Sequence, residues 1–342
     1  MDAELIPGLP DDVALICLLR LPLHALAVAR RVCKRWKQEI TSPSFYHRRK
    51  AAGHAHPIVA LVESNPSSRY KNLILFEPTT GVWNKLPTVL DWRVLKWCIF
   101  RQVAAVGHEL VVIGGGGMRR SAPVHVYNLL TGVRRRGTTM PGPGRISFAF
   151  AASAEARMAY VAGGQNEHGK PLRSALAYDV AADAWVCLPD MTRPRRECRG
   201  IFVDGAFCVA GGKWRLDWTS EAFDVAEGRW TAKQGKFLGK ALIDPLTVVA
   251  AEEGRVYSCG RNGVVDVCSD IDGGGCRRLG VFSQELYGFP AHVAAWNGGV
   301  MVMGTIRAGK TACILEEGKW RQVAFPAEFT TGCVQSLCSF QL

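Results

Sequence analysis

The stretch GTIRAGKT at residues 304–311 has the spacing G-x-x-x-x-G-K-[ST], which forms a phosphate-binding loop in nucleotide-binding proteins. Such a loop works only where it follows a buried strand and opens a helix, because the amides and dipole of the helix hold the phosphates. The following residues, TACILEEGKW, instead favour a second strand and a Glu-Glu-Gly turn. We therefore expect Thr305 to Lys310 to form a loop between strands that binds no nucleotide.

Other residues that could carry chemistry lack the partners that the chemistry needs. His54 and His56 are the one close pair among eight histidines, and no third metal ligand follows at the usual spacing. No G-x-S-x-G pattern is present. Asp179, Asp183 and Asp224 lie where turns are expected. The sequence predicts no cofactor, metal or catalytic residue, although ligands that only the fold assembles would leave no local pattern.

Composition narrows the class of protein. The chain has 342 residues, of which 48% are apolar, and a net charge of +12 spread over short basic clusters. This balance favours acidic partners, and we expect no specific nucleic-acid site because the clusters fall in predicted loops. The N-terminus is acidic and no apolar run approaches a membrane span, so we expect a soluble intracellular protein of the cytoplasm, the nucleus or both. The twelve cysteines should be reduced and mostly buried.

The elements that carry these residues differ between the first fifty residues and the rest. Up to Lys50 the chain is poor in glycine and rich in Leu, Ala, Arg and Lys, which predicts helices. One helix should start at Asp11, with Val13, Ile16, Cys17 and Leu21 as its apolar stripe, and end at Pro22. A second should cover His24 to Arg30, and a third should place Val32, Cys33, Trp36 and Ile40 on one side. Three short helices bury little, so this module should gain stability from a partner.

The series LPDDVALICLLRLP followed by VCKRW resembles the F-box pattern in order and spacing. F-boxes bind the adaptor Skp1, which links them to a cullin and a RING protein in ubiquitin ligases. The resemblance implies the following residues at or behind that interface: Leu9, Pro10, Val13, Ile16, Leu18, Leu21, Pro22, Val28, Cys33 and Trp36. For Val28 and Trp36 a role in the core of the module is an open alternative, whereas Leu9 and Pro10 precede the first helix and have less core to join.

After residue 56 the sequence repeats. Apolar runs end in glycine at Gly115, Gly164, Gly212, Gly260 and Gly304, in steps of 49, 48, 48 and 44 residues. That period is typical of kelch propellers, with four strands per blade. Residues 57–63, PIVALVE, fit the same strand of an earlier blade, which gives six blades.

A second marker follows in several blades, an aromatic residue with Trp seven positions later. The pairs are Phe76 with Trp83, Tyr178 with Trp185, and Phe223 with Trp230. They predict a hairpin whose Trp packs between neighbouring blades. The other blades depart from the pattern, since Arg134 replaces the Trp in the second, Cys276 lies near that place in the fifth, and Trp320 ends a shorter hairpin in the sixth.

The sequence thus predicts a small all-α F-box at residues 1–50, a linker at 51–56 and an all-β six-bladed kelch propeller at 57–342. An open first or last blade would expose strand edges, so the ring needs closure. The segment CVQSLCSFQL at residues 333–342 should supply the innermost strand of the first blade.

Loops after the glycine strands and loops between blades emerge on one face of a propeller. In this chain they carry aromatic and basic residues, which are common anchors of protein interfaces. The candidates for binding a client protein are Trp92, Trp97, Arg119, Arg120, Arg193, Arg195, Arg196, Lys213, Trp214, Arg215 and Trp218. Packing of Trp92, Trp97 and Trp218 under their own loops is the alternative.

Along most of its length the chain looks like the plant kelch-domain F-box proteins, on ELIPGLPDDVA, FYHRRKA, SALAYDVAADAWVCLPDM and GCVQSLCSFQL. The resemblance implies a non-catalytic adaptor that presents a client for ubiquitylation and proteasomal degradation. It also implies a client such as phenylalanine ammonia-lyase, or, as for relatives of that subgroup, chalcone synthase or a cytokinin response regulator. The alternatives are a kelch-propeller enzyme, such as the copper oxidases, and a kelch scaffold protein without a ligase.

Overall fold

The computed structural model describes residues 4–64, 71–86, 101–114, 123–211, 220–233, 248–252, 254–260, 263–269, 275–282, 291–296, 298–306, 309–330 and 332–342. In this part of the chain, four α-helices precede six four-stranded sheets. None of the helices described is both long and apolar enough to cross a membrane. Within the same ranges, no group of three His, Cys, Asp or Glu side chains is placed to hold a metal ion.

The helices are α1 (Asp11–Leu19), α2 (Leu23–Ala29), α3 (Lys34–Thr41) and α4 (Pro43–Ala51). The fourth corrects the sequence prediction, which expected three helices before residue 50. Its start has an ordinary cause, because Ser42 Oγ accepts a hydrogen bond from the Phe45 amide at 3.2 Å and Pro43 fits the first turn of a helix. We call residues 5–51 the helical module.

The apolar stripe that the sequence predicts for α1 lies largely on the exposed side of the helix. Ala14, Leu18 and Leu19 are its buried residues, whereas Val13 and Ile16 are exposed. The apolar stripe read from the sequence is therefore the outer side of the helix. A helix that is apolar on both sides offers no contrast from which the sequence could have identified the inner one.

Six antiparallel sheets form the blades of the propeller. Blade one contains β1 (Pro57–Ser64), β2 (Lys71–Glu77), β3 (Val82–Leu86) and β24 (Cys333–Gln341), and blade two contains β4 (Arg101–Val106), β5 (Glu109–Gly114), β6 (Val124–Asn128) and β7 (Arg134–Gly137). Blade three contains β8 (Ala149–Ser153), β9 (Met158–Ala162), β10 (Ala175–Asp179) and β11 (Ala184–Leu188), and blade four contains β12 (Arg199–Val203), β13 (Ala206–Ala210), β14 (Ser220–Asp224) and β15 (Arg229–Lys233). Blade five contains β16 (Val248–Glu252), β17 (Arg255–Cys259), β18 (Val264–Cys268) and β19 (Arg277–Val281), and blade six contains β20 (His292–Trp296), β21 (Gly299–Ile306), β22 (Gly309–Glu316) and β23 (Lys319–Gln322).

The segment from Cys333 closes the ring as the sequence predicts. β24 pairs antiparallel with β1, from Pro57 opposite Gln341 to Ser64 opposite Cys333. It also lies against β4 of blade two and β20 of blade six. The innermost strands β24, β4, β8, β12, β16 and β20 contact one another in sequence around the axis, so no inner edge is left open.

The aromatic and Trp pairs occupy the predicted hairpins. Phe76 faces Trp83 across β2 and β3, and equivalent pairs face each other in blades three and four. Trp83 Nε1 donates to Ala324 O of the blade-six end at 3.0 Å, and Trp185 Nε1 donates to Thr138 O after blade two at 2.8 Å. Each of these Trp side chains therefore joins its blade to the preceding one.

The stretch GTIRAGKT lies in a hairpin. β21 runs to Ile306 and β22 starts at Gly309, so the expected loop from Thr305 to Lys310 is largely strand. The lysine of the phosphate pattern is buried, and Lys310 Nζ forms an ion pair with Glu63 of blade one. A strand and a buried ion pair take the places of the helix and the free lysine that phosphate binding needs.

The cysteines depart in part from the expectation of buried thiols. Cys268 and Cys276 form a disulfide in blade five, beside the position where other blades carry a Trp. Cys17, Cys33 and Cys187 are exposed. The pairing of β18 with β19 in a hairpin brings the two cysteines close enough to bond. The local sequence does not reveal this proximity.

Candidate functional site

Apolar side chains of α1 and of the turn before it project into solvent. Leu9 is 36% exposed, Val13 41% and Ile16 44%. Pro10 beside them is also exposed. These side chains lie before α1 or on the side of α1 that faces away from its buried residues. They therefore have no core to join. This surface is available to another protein.

The next exposed apolar side chains lie in and after α2. Val28 is 66% exposed and Val32 61%. Five of the eight large apolar side chains that are exposed in the described chain belong to the helical module, which holds only about one sixth of the described residues. We call Leu9, Val13, Ile16, Val28 and Val32 the exposed apolar set. Its concentration in one module distinguishes these side chains from single apolar residues scattered over a surface.

The other residues that the sequence assigns to Skp1 binding divide between surface and core. Cys33 is exposed and caps α3, where its Sγ accepts from the Trp36 amide at 3.4 Å. Leu18 is buried, and Leu21 and Pro22 are half-buried. Trp36 packs against the core and its Nε1 donates to Leu5 O at 2.6 Å. Leu18 and Trp36 thus support the module from inside, while Val28 lies outside.

A buried arginine fastens the module to the propeller. Arg49 is 0% exposed, and its Nη1 donates to Leu19 O at 2.6 Å and to Leu21 O at 2.7 Å. Its Nη2 donates to Leu342 O, just after β24, at 3.1 Å. Burial lowers the pKa of Arg49 to about 10, against the opposing charge of Glu77. One guanidinium therefore holds the C-terminal end of α1 against the closing strand of the ring.

Further contacts hold the module against blades one and two. The His24 amide donates to Oε1 of the buried Glu77 at 3.0 Å, and Arg30 Nη1 donates to Leu130 O at 2.9 Å. The Tyr46 ring lies 5.3 Å from the His108 ring. All these propeller residues lie at the turns between first and second strands or between third and fourth strands. The module therefore sits on the face opposite the loops in which the client residues were predicted.

Among the predicted client residues, the connection from β11 to β12 is described. Arg193 is exposed and Arg196 is half-buried. Arg195 is 2% exposed, and its Nε and Nη2 lie 3.2 and 3.1 Å from Glu221 Oε1. Its Nη1 donates to Gly211 O at 2.9 Å. This corrects the prediction for Arg195, because a side chain engaged inside blades three and four cannot also contact a client.

The remaining client candidates lie outside the described residues. They are Trp92, Trp97, Arg119, Arg120, Lys213, Trp214, Arg215 and Trp218. Their assignment to client binding stays a prediction.

Comparisons with known proteins agree with this architecture. The model of the F-box domain matches residues 6–48, and the Kelch motif matches residues 158–192. The chain is 32% identical to the F-box/kelch-repeat protein At1g80440 of Arabidopsis thaliana, over 99% of this chain and 100% of that one. It is 34% identical to the F-box/kelch-repeat protein At1g15670 of the same plant, over 90% of both chains.

The chain belongs to the F-box/kelch-repeat family.

A solved structure extends the comparison of the fold alone. TolB from Acinetobacter baumannii covers 86% of this F-box/kelch-repeat protein and is itself covered to 70%, with a TM-score of 0.56 and 12% identity. At that identity the likeness concerns the arrangement of the chain and carries no function.

The residues that attach the F-box to the kelch propeller were missed at the sequence level. Arg49 lies in the basic run HRRK, which suggests a solvated surface. The helical spacing indicates that Arg49 lies on the inner side of α4, because it follows Phe45 by four residues and Tyr46 by three. All three side chains are buried. Once the fourth helix is recognised, a basic residue on its inner side is the feature to look for.

Proposed function

We propose that this F-box/kelch-repeat protein is the substrate-recognition subunit of an SCF-type ubiquitin ligase. Its F-box binds a Skp1-like adaptor, and through it a cullin and a RING protein. Its propeller binds a client protein for ubiquitylation and proteasomal degradation in the cytoplasm, the nucleus or both. The chain makes and breaks no bonds in this role. It raises the effective concentration of the client beside the conjugating enzyme.

The observation that carries the proposal is the exposed apolar set of the F-box. Leu9, Val13 and Ile16 remain in solvent although the F-box shares a core with the propeller. Burying an exposed Val or Ile side chain contributes about 1.5–3 kcal/mol of favourable free energy. A partner that covers the set therefore gains hydrophobic free energy towards binding, whereas the ring needs no such cover.

The test uses the double variant Val13→Asp, Ile16→Asp and a purified Skp1-like adaptor. We expect at least about a hundredfold weaker binding, which corresponds to about 2.7 kcal/mol. The melting temperature should stay unchanged because both side chains are exposed. Val186→Asp is the control, since Val186 is 49% exposed on the outer strand of blade three. Binding that survives the double variant would overturn the assignment of the F-box surface.

The client is proposed from the family resemblance to be a phenylpropanoid or flavonoid enzyme, with phenylalanine ammonia-lyase first. The opposite placement of the F-box and the predicted client loops supports simultaneous binding of adaptor and client. Affinity purification from cells treated with a proteasome inhibitor would identify copurifying proteins. Recovery of the adaptor with no phenylpropanoid enzyme would refute the client and leave the ligase role standing.

A further inference from the structure

Val133 is an exposed apolar side chain of the propeller that lies beside the F-box. It is 61% exposed and follows Gly132 in the turn between β6 and β7 of blade two. The Gly132 amide donates to Asn128 O at 2.8 Å, and the Asn128 amide donates to Val133 O at 2.8 Å. The backbone of the turn is therefore fixed by its own hydrogen bonds, while the Val133 side chain stays in solvent.

Arg30 holds this turn against the end of α2. Its Nη1 donates to Leu130 O at 2.9 Å, and a Cβ added to Gly132 would lie 3.0 Å from Arg30 Cζ. Gly132 has a φ of +69°, so both the backbone and the close approach of the guanidinium require glycine there. The F-box therefore touches blade two at the residue directly before Val133.

The F-box residues around Arg30 are also apolar and exposed. Val28 and Val32 lie two positions to either side of Arg30 and are 66% and 61% exposed. The Arg31 amide donates to Val28 O at 2.9 Å, which keeps this stretch in a tight turn after α2. Both valines and Val133 thus border the same contact between the F-box and blade two. We call Val28, Val32 and Val133 the junction valines.

Two further large apolar side chains of the propeller are exposed in the described ranges, and both lie away from the F-box. Val186 is on β11 of blade three and Val281 is at the end of β19 in blade five, with exposed fractions of 49% and 47%. The contacts described for the F-box reach blades one and two instead. Val186 and Val281 are single exposed residues of the ordinary kind, whereas Val133 extends an apolar surface that the F-box already presents.

The two segments that carry the junction valines are basic. Residues 20–38 of the F-box and residues 129–137 of blade two contain no Asp or Glu. A partner that fits them presents an apolar surface bordered by acidic side chains, because like charges facing each other would oppose binding. The exposed bases next to the junction valines are Arg31, Lys34 and Arg134.

We propose that the Skp1-like adaptor covers the junction valines, so that blade two of the propeller forms part of the adaptor-binding surface together with the F-box. The inference rests on the proposed function in naming the adaptor as the occupant. Continuity supports this occupant, because Val28 and Val32 belong to the exposed apolar set and Val133 extends that set across the junction. The predicted client loops lie on the opposite face of the ring, so a client held there does not reach these valines. An adaptor seated on both units holds the propeller in one orientation relative to the ligase.

The test measures the affinity of the full chain for a purified Skp1-like adaptor by isothermal titration calorimetry. We expect Val133→Asp to weaken binding by at least about tenfold, because it places a charge in an apolar contact and opposite acidic side chains. Val186→Asp and Val281→Asp are the matched controls, since they make the same change at exposed valines of other blades. Each control should change the affinity less than about twofold. All three variants should keep the melting temperature of the wild type, because the side chains are exposed.

The outcomes separate this inference from the proposed function. Unchanged adaptor affinity in Val133→Asp, with binding lost in the Val13→Asp, Ile16→Asp double variant, would overturn the inference and leave the ligase role standing. Equal losses in Val133→Asp and both controls would attribute the effect to added negative charge and also overturn it. Self-association of the wild-type chain in sedimentation that Val133→Asp abolishes, at unchanged adaptor affinity, would make a second copy of the chain the occupant instead. A wild-type chain that binds no adaptor would overturn the proposed function itself.

Discussion

The F-box and the propeller treat their apolar surfaces in opposite ways. Each blade covers its neighbour, and the innermost strands contact one another around the whole axis. The F-box buries Leu18 and Leu19 but leaves Val13 and Val28 in solvent. Apolar surface left open beside a closed and well-packed ring is the feature expected of a binding region. The ring completes itself, whereas the F-box keeps apolar side chains that, under the proposed function, another chain covers.

The two regions also differ in how they bury positive charge. Inside the ring, Arg195 pairs with Glu221 and Lys310 pairs with Glu63. Where the F-box meets the ring, the described partners of Arg49 are carbonyl oxygens. A cation that pairs with a carboxylate inside the ring is held within one folded unit. Arg49 instead donates to carbonyls of both the F-box and the ring, and it thereby joins the two units.

Removing the closing strand should have the largest effect on the stability of the ring. Deletion of residues 333–342 takes away β24 and with it the cover of β1, β4 and β20. It also removes Leu342 O, the propeller side of the Arg49 contact. We expect loss of cooperative thermal unfolding and exposure of apolar surface, measured by circular dichroism and dye binding. A soluble variant with unchanged melting behaviour would show that the ring does not need this strand.

Breaking a charge pair inside the ring should have the next largest effect. Glu221→Ala leaves the Arg195 charge buried without its carboxylate, which costs about 3–5 kcal/mol of unfolding free energy. Glu227→Ala is the control, because the ion pair of Glu227 with Arg229 is exposed and solvent screens it, so its loss should leave the free energy of unfolding nearly unchanged. Urea unfolding of both variants provides the measurement. Equal stabilities would mean that the buried pair is not part of the folded framework.

Sequence patterns predicted the repeating part of this molecule well. Trp83, Trp185 and Trp230 recur at fixed distances from an aromatic partner, and the structure places each pair directly opposite in a hairpin. Such a signal is local, because a hairpin joins residues close in sequence. Closure by β24 was predictable too, since a ring with an unpaired strand edge is disfavoured.

Contacts between distant parts of the chain could not be predicted in the same way. Arg49 and Leu342 lie 293 residues apart, and Lys310 and Glu63 lie 247 residues apart. Nothing in the local pattern of RPRR tells the buried Arg195 from the exposed Arg193. The sides of α1 were ambiguous for a related reason, because both are apolar and only the packing of α4 and the ring decides which is covered.

The junction of the two regions should respond to loss of its arginine. Arg49→Met leaves three buried carbonyls without their donor, at a cost of about 2–4 kcal/mol. Arg48→Met is the control, because Arg48 is exposed and pairs with Glu39 at 3.1 Å. Hydrogen exchange should quicken in α1 and β24 of the Arg49 variant and stay unchanged in blades three and four. Uniform exchange across all blades would contradict a junction that acts locally.

The smallest expected effect concerns the pH dependence of the free energy of unfolding, and it arises in the ring rather than in the F-box. His292 in the ring has a pKa lowered from 6.5 to about 4, so the unfolded chain takes up a proton near pH 6.5 and the folded chain does not until about pH 4. Between these values the unfolded state binds more protons, and the free energy of unfolding must therefore fall as the pH falls.

His292→Gln removes this group and keeps a donor near Val334 O. It should flatten the acid limb by less than about 1.4 kcal/mol per pH unit and leave stability at pH 8 nearly unchanged. His56 and His108, whose pKa values burial also lowers, supply the slope that remains. His168→Gln, at an exposed loop, is the control that should leave the limb as it is. An equally steep limb in the His292 variant would mean that protonation of His292 does not oppose folding.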